Sequence, residues 1–305
     1  MHKVDMRVNF AGISMKNPVV VASGTYGFGR EFGEFYDLSQ LGGISCKGLT
    51  FTPREGNPPP RVAETPMGML NSVGLQNPGV DDFVANELPE LRRHDLCVIA
   101  NISGNTPEEY AVMSGKLSAA GVDMIEVNVS CPNVKCGGLQ YGVVPELAAE
   151  VTEAAKKSAS VPVMVKLSPN VTDITAIAKA VEAAGADAVS LINTVRGMRI
   201  DVKTRRPVLK MNTGGLSGPA VLPIAVRMVW EVSNAVGIPV MGMGGISTGE
   251  DAAQMMLAGA SAVAVGTANL VDPFAALRIR DELAEIAAAQ NLSAVRELTG
   301  GVRPW

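Results

Sequence analysis

Residues Val161–Thr194 read VPVMVKLSPNVTDITAIAKAVEAAGADAVSLINT, and this stretch decides the fold. Its two ends, Val161–Ser168 and Ala188–Thr194, are short runs rich in Val, Met, Leu and Ile, apolar nearly throughout as strands buried on both faces are. Between them the period changes. Ile174, Ile177, Ala178 and Val181 fall on one face of a helix, and Gly185 stands where a left-handed residue would close it. Strand, amphipathic helix and strand in succession make a βαβ unit, which sets the two strands parallel.

The unit recurs outward in both directions. Ala-Ala-Gly-Val-Asp at 119–123, Ala-Ala-Gly-Ala-Asp at 183–187 and Leu-Ala-Gly-Ala-Ser at 257–261 each end a helix just before an apolar run. The other runs are Pro18–Gly24, Gly43–Gly48, Leu96–Ser103, Met124–Cys131, Ile238–Gly245 and Ala262–Ala268, which brings the total to eight. Eight βα units without a linker or low-complexity break predict an α/β fold in which residues 1–305 form a single (β/α)8 TIM barrel domain. A doubly wound sheet fits less well, since neither G-x-G-x-x-G nor G-x-x-x-x-G-K-[ST] occurs. Two segments exceed what a plain barrel needs: Thr50–Pro78, rich in Pro, Gly and Asn, and Val195–Pro219, with Arg196, Arg199, Lys203, Arg205 and Arg206. Both follow strands and read as long irregular loops at the C-terminal face, either lids and interfaces or simply solvated.

The chain has 26 basic and 30 acidic residues in a mixed pattern, so a nucleic acid is not an expected partner. The N-terminal MHKVDMRVNF lacks the apolar core of a signal peptide, and no apolar run reaches the ~18 residues of a membrane span. A cytoplasmic protein without membrane attachment is expected. Cys46, Cys97, Cys131 and Cys136 are too few for a disulfide framework. Leu139 stands where a plant-type ferredoxin run beginning at Cys131 and Cys136 would need its third ligand, so no cluster or other metal is expected in this chain.

Barrel enzymes carry their chemistry at the C-terminal ends of the strands. Lys47 ends the second run, Asn101 lies late in the third, Asn128 and Cys131 end the fourth, Lys166 interrupts the fifth, and Asn193 with Thr194 ends the sixth. Taken singly, a lysine there is also explained by a head that snorkels to water, and an asparagine by turn chemistry. Taken together they suit a polar, planar, partly anionic ligand. The seventh and eighth runs end in Gly242-Met243-Gly244-Gly245 and Val265-Gly266-Thr267, where barrels often bind phosphate, and Ser247-x-x-Glu250 reads as a capping box for a helix that would assist. A phosphate opposite lysines and amides suits flavin mononucleotide, with Lys166 stabilising the negative charge that builds near N1 and O2 on reduction. Cys131 sits at the mouth, either as a small apolar strand end or as a thiol that would be mostly protonated near neutral pH. Neither His2 nor His94 lies near a strand C-end.

Asn71-Ser72-Val73-Gly74-Leu75-Gln76-Asn77-Pro78-Gly79, with Asn128–Asn133 and the lysines of the second and fifth runs, resembles the class 1 dihydroorotate dehydrogenases over almost the whole chain. Pro53–Arg61 and Thr213–Pro219 are more similar to the NAD-linked B type than to the fumarate-using A type. The resemblance implies oxidation of dihydroorotate to orotate in de novo pyrimidine synthesis, with one FMN per chain. It makes Cys131 the base at C5 while C6 delivers hydride to flavin N5, with Lys47 and Lys166 beside it. Substrate contacts fall on Lys47, Asn71, Ser72, Val73, Gly74, Leu75, Asn128, Asn133, Asn193 and Thr194, whose amides match the alternating N–H and C=O edge of a pyrimidine. FMN contacts fall on Ser23, Lys47, Gly48, Asn101, Asn128, Lys166, Ile192, Gly218, Gly244, Gly245, Gly266 and Thr267.

The B-type resemblance also implies a partner subunit carrying FAD and a [2Fe-2S] cluster, joined to a homodimer core in a heterotetramer. The membrane-bound quinone class resembles neither this N-terminus nor a cysteine at the base position. The alternatives are an A-type homodimer reducing fumarate, a dihydrouridine synthase, for which a basic tRNA-binding region is missing, and a barrel that binds a phosphorylated ligand without catalysis.

Overall fold

The computed structural model describes residues 4–129 and 141–305. Its centre is a closed parallel barrel whose strands neighbour one another in chain order. They are β1 Val19–Val21, β2 Gly43–Ser45, β3 Cys97–Ile102, β4 Met124–Asn128, β5 Val163–Lys166, β6 Ala188–Leu191, β7 Val240–Met243 and β8 Ala262–Val265. The ring closes through Val263 against Val19, Ala264 against Val20 and Val265 against Val21. Every residue of these strands is buried, which is why each reads as an unbroken apolar run rather than an alternating one. All eight expected runs hold a strand. Each ladder is shorter than its run because the chain continues past it as bonded irregular backbone: after β2, Cys46 N–H donates to Ile99 and Leu49 N–H to Asn101.

Helices α1 Pro107–Ala120, α2 Pro145–Ser158, α3 Ile174–Ala183, α4 Leu222–Ser233, α5 Gly249–Leu257 and α6 Ala275–Ala289 wrap the barrel. In α3 the side chain of Asp173 accepts from the N–H groups of Thr175 and Ala176, and Ile174, Ile177, Ala178 and Val181 face the core. Gly185, at φ +93°, ends it. The three Ala-Gly repeats close α1, α3 and α5 directly ahead of β4, β6 and β8. One cap differs from expectation. The capping box of α5 is Thr248 with Asp251, one residue later than Ser247 with Glu250. Both pairs match the sequence pattern, but the Asp251 carboxylate reaches back to both Ser247 and Thr248 N–H at 2.9 Å, while the Ser247 hydroxyl donates to Gly245 O.

The two long segments are not irregular. Strands Val62–Thr65 and Gly68–Asn71 from the first join Val195–Gly197 and Gly214–Ser217 from the second in one four-stranded antiparallel sheet. Gly215 pairs with Asn71, Leu216 with Leu70 and Ser217 with Met69. The pairing is glycine-dependent: a Cβ on Gly68 would collide with the Ser217 carbonyl, and one on Gly215 with the Thr194 side chain. Among the described residues no helix is long and apolar enough to cross a membrane.

Candidate active site

The strand C-termini and the four-stranded sheet enclose a cavity of about 250 Å³. Lys166, the last residue of β5, is 7% exposed, and its ammonium donates to the Ser23 hydroxyl just past β1 at 3.4 Å. No carboxylate among the described residues forms an ion pair with it. Lys47, just past β2, is half-buried on the same wall. Asn101 of β3, Asn128 at the end of β4, and Ile192, Asn193 and Thr194 after β6 complete the floor and one side. The amides brace one another: Asn193 Nδ2 donates to Asn128 Oδ1 at 3.5 Å, and Asn193 Oδ1 accepts from Thr194 N–H at 2.7 Å. Tyr110 of α1 donates its hydroxyl to the Asn128 carbonyl at 3.0 Å, fixing the end of β4 from behind.

The roof comes from the sheet. Val62, Met69 and Asn71 face the cavity, followed by Val73, Gly74 and Leu75 of the next loop. Asn77 holds that loop, donating from Nδ2 to Leu75 O at 2.7 Å and to Thr50 Oγ1 at 2.8 Å while Oδ1 accepts from Gly79 N–H. Ser72 departs from the expected set, being fully buried and off the cavity wall.

At the far end stand Gly218, Gly244, Gly245, Gly266 and Thr267. Thr267 Oγ1 donates to Ser217 Oγ at 2.8 Å, tying the end of β8 to the roof. Gly245 is required by the chain, since it sits at φ +81° and a Cβ would come within 2.7 Å of Leu222 N. Gly266 is not: a Cβ there would meet only Ala22 Cβ, at 3.7 Å. At the N-terminus of α5 the Thr248 and Gly249 N–H groups already donate to Asp251 and Glu282.

Cys131 and Asn133 lie outside the described residues. Burial pushes the Cys97 thiol up to about 12 and that of Cys46 higher still, so neither serves as a base near neutral pH. His94 pairs with Asp37 at 3.3 Å ahead of β3, away from the cavity. Sequence reasoning missed Ser217, Met69 and Val62, which only the sheet brings to the site, and Glu126, which lies within an apolar run. Parity marks Glu126: it is two residues before Asn128, so both point to the barrel interior.

The donor set fits FMN on three counts. Among the described residues Asn101 Oδ1 is buried with no hydrogen-bond partner, Lys166 is a buried ammonium with no carboxylate paired to it, and a Cβ at Gly266 would meet nothing nearer than Ala22 Cβ at 3.7 Å. A ring N–H, an electron-rich ring edge and a phosphate would answer these in turn.

The family model for dihydroorotate dehydrogenase matches residues 5–287. A protein of Geobacillus kaustophilus described as dihydroorotate dehydrogenase B (NAD(+)), catalytic subunit, is 56% identical over 301 residues, 98% of this chain and 96% of its own. Proteins of the same description from Anoxybacillus flavithermus and Alkaliphilus metalliredigens are 54% and 53% identical, over 98% and 99% of this chain and 96% and 100% of theirs.

Proposed function

The chain belongs to the dihydroorotate dehydrogenase family, and from that premise we propose that it oxidises dihydroorotate to orotate in the cytoplasm, as a step of pyrimidine synthesis. The observation that carries this reading is the convergence of Lys47, Asn101, Asn128, Lys166, Asn193 and the glycine turns on one cavity. FMN held there would supply the acceptor for the hydride that leaves C6 of the substrate. The Sγ of Cys131 accepts the proton that leaves C5, so that the C5=C6 bond of orotate forms with both hydrogens accounted for. Lys166 would offer its ammonium to the side of a bound ring that becomes electron-rich on reduction. Lys47, Asn71, Val73, Gly74, Leu75, Asn128, Asn133, Asn193 and Thr194 bind and orient the pyrimidine and its carboxylate, and Ser72 supports that loop from behind. Ser23, Gly48, Asn101, Ile192, Gly218, Gly244, Gly245, Gly266 and Thr267 hold the cofactor.

A second subunit bearing FAD and a [2Fe-2S] cluster, in a heterotetramer built on a homodimer of this chain, would carry the electrons on to NAD. This is supported by relatives described as NAD(+)-linked catalytic subunits and by the lack of a cluster-type cysteine run or dinucleotide fingerprint in the sequence. The test is anaerobic mixing with dihydroorotate, which should bleach the flavin, followed by fumarate or NAD added separately. Reoxidation by fumarate alone would move the chain to the A type, whereas NAD should act only when the second subunit is present. A flavin that dihydroorotate leaves yellow would end the reading.

A further inference from the structure

Glu126 is a charged-type side chain in the middle of β4, fully buried inside the barrel. Barrel interiors are filled mainly by branched apolar side chains layered from alternate strands, and a buried carboxyl needs partners on all sides to stand there. It has them. Ser45 of β2 donates to Oε2 at 2.6 Å, Asn101 Nδ2 of β3 donates to the same oxygen at 2.6 Å, and Ser190 of β6 donates to Oε1 at 2.6 Å. The two serines belong to strands on either side of β4, so the carboxyl spans the barrel just beneath the cavity.

The bond to Asn101 has a directional consequence. With its nitrogen committed to Glu126, the amide turns its oxygen the other way. That oxygen is buried without a partner among the described residues, and a Cβ on Gly48, which lines the cavity, would stand 2.9 Å from it. An asparagine free to flip could turn either its nitrogen or its oxygen to a ligand; this one is held by Glu126 with its oxygen turned away from the carboxyl.

We propose that Glu126 is a positioning residue, which locks the Asn101 amide oxygen toward the cavity so that the site selects a ring N–H on its ligand. Resting on the flavin reading above, this points to N3–H, the single N–H of an oxidised isoalloxazine. The pairing leaves a ligand with that position blocked facing a buried acceptor it cannot satisfy.

The test compares FMN with 3-methyl-FMN, titrated by fluorescence quenching into the full-length protein stripped of flavin. The unaltered chain should prefer FMN by about tenfold or more, the effect of one buried hydrogen bond. Ser45→Ala with Ser190→Ala keeps the Asn101–Glu126 bond and should keep that preference. Adding Glu126→Leu removes the carboxyl together with both serines, so that no serine donor is orphaned and only the Asn101 amide loses its partner. In that triple variant, and in Asn101→Leu, the preference should collapse to about twofold or less. An undiminished preference in the triple variant would overturn the role of Glu126 alone. Equal binding of both flavins by the unaltered chain would overturn the acceptor assignment, and no binding of FMN at all would overturn the flavin reading with it.

Discussion

The Lys166 ammonium and the Ser23 hydroxyl lie 3.4 Å apart, one from the end of β5 and one just past β1, both less than a tenth exposed. An ammonium buried against a neutral hydroxyl has lost most of its hydration without gaining a countercharge, which destabilises the empty protein. Lys166→Met should therefore raise the stability of the flavin-free chain by ~1–3 kcal/mol, read by urea unfolding, while weakening FMN binding about a hundredfold. A flavin-free variant less stable than the parent would show that the ammonium serves the fold rather than the ligand.

Two glycines at the far end of the cavity separate folding from binding. Gly245→Ala places a Cβ against the Leu222 backbone at a positive φ, so the variant should lose ~2 kcal/mol or more of stability. Gly266→Ala meets nothing but Ala22 at ordinary contact distance, and should fold within ~0.5 kcal/mol of the parent. If the cofactor phosphate sits beside it, the added methyl should nonetheless cut FMN affinity about tenfold or more. Unchanged affinity in Gly266→Ala would place the phosphate elsewhere.

Burial, with a smaller contribution from Asp123, raises the Cys97 thiol from 9.0 to about 12. A thiol with a raised folded pKa keeps its proton in the fold after the unfolded chain has lost it. The folded state then binds more protons between those two values, and stability falls as the pH rises through that window, by up to ~1.4 kcal/mol per pH unit for each such thiol. Below pH 9 the group contributes nothing to the slope. Cys97→Val should remove this share, so its unfolding free energy should gain on the parent's steadily from pH 9 to 11. A difference that stays flat over that range would refute the shift.

The barrel was legible because its strands are buried on both faces, so that Val163-Met164-Val165 and Val19-Val20-Val21 announce themselves without any partner in view. Polar residues ending such runs, Asn128 and Lys166 among them, were legible for the same reason. The roof was not, because Gly68–Asn71 meets Gly214–Ser217 across nearly half of the chain, and glycines chosen for close backbone approach carry no periodicity. The α5 cap was ambiguous by one residue, since only the reach of the Asp251 carboxylate separates two matching patterns. Glu126 was hidden by its setting: an apolar run absorbs one charged residue without changing its character, and only its shared parity with Asn128 points inward.

Cys131 gives the most direct trial of the proposed chemistry. The two buried thiols, Cys46 and Cys97, are held protonated well above neutral pH, so the proton accepted from C5 cannot end on either. If the thiol at position 131 takes it, Cys131→Ala should bind FMN as the parent does, because the flavin contacts proposed here do not include it. Its anaerobic bleaching by dihydroorotate should nonetheless slow by ~10²–10⁴-fold, the usual loss when an acid–base group is removed. The same dependence should appear in pH profiles, with the parent's bleaching rate rising as the thiol ionises and the variant's rate flat. Stopped-flow traces of parent and variant that superimpose would remove the thiol from the reaction while leaving the barrel, the cavity and the flavin reading intact.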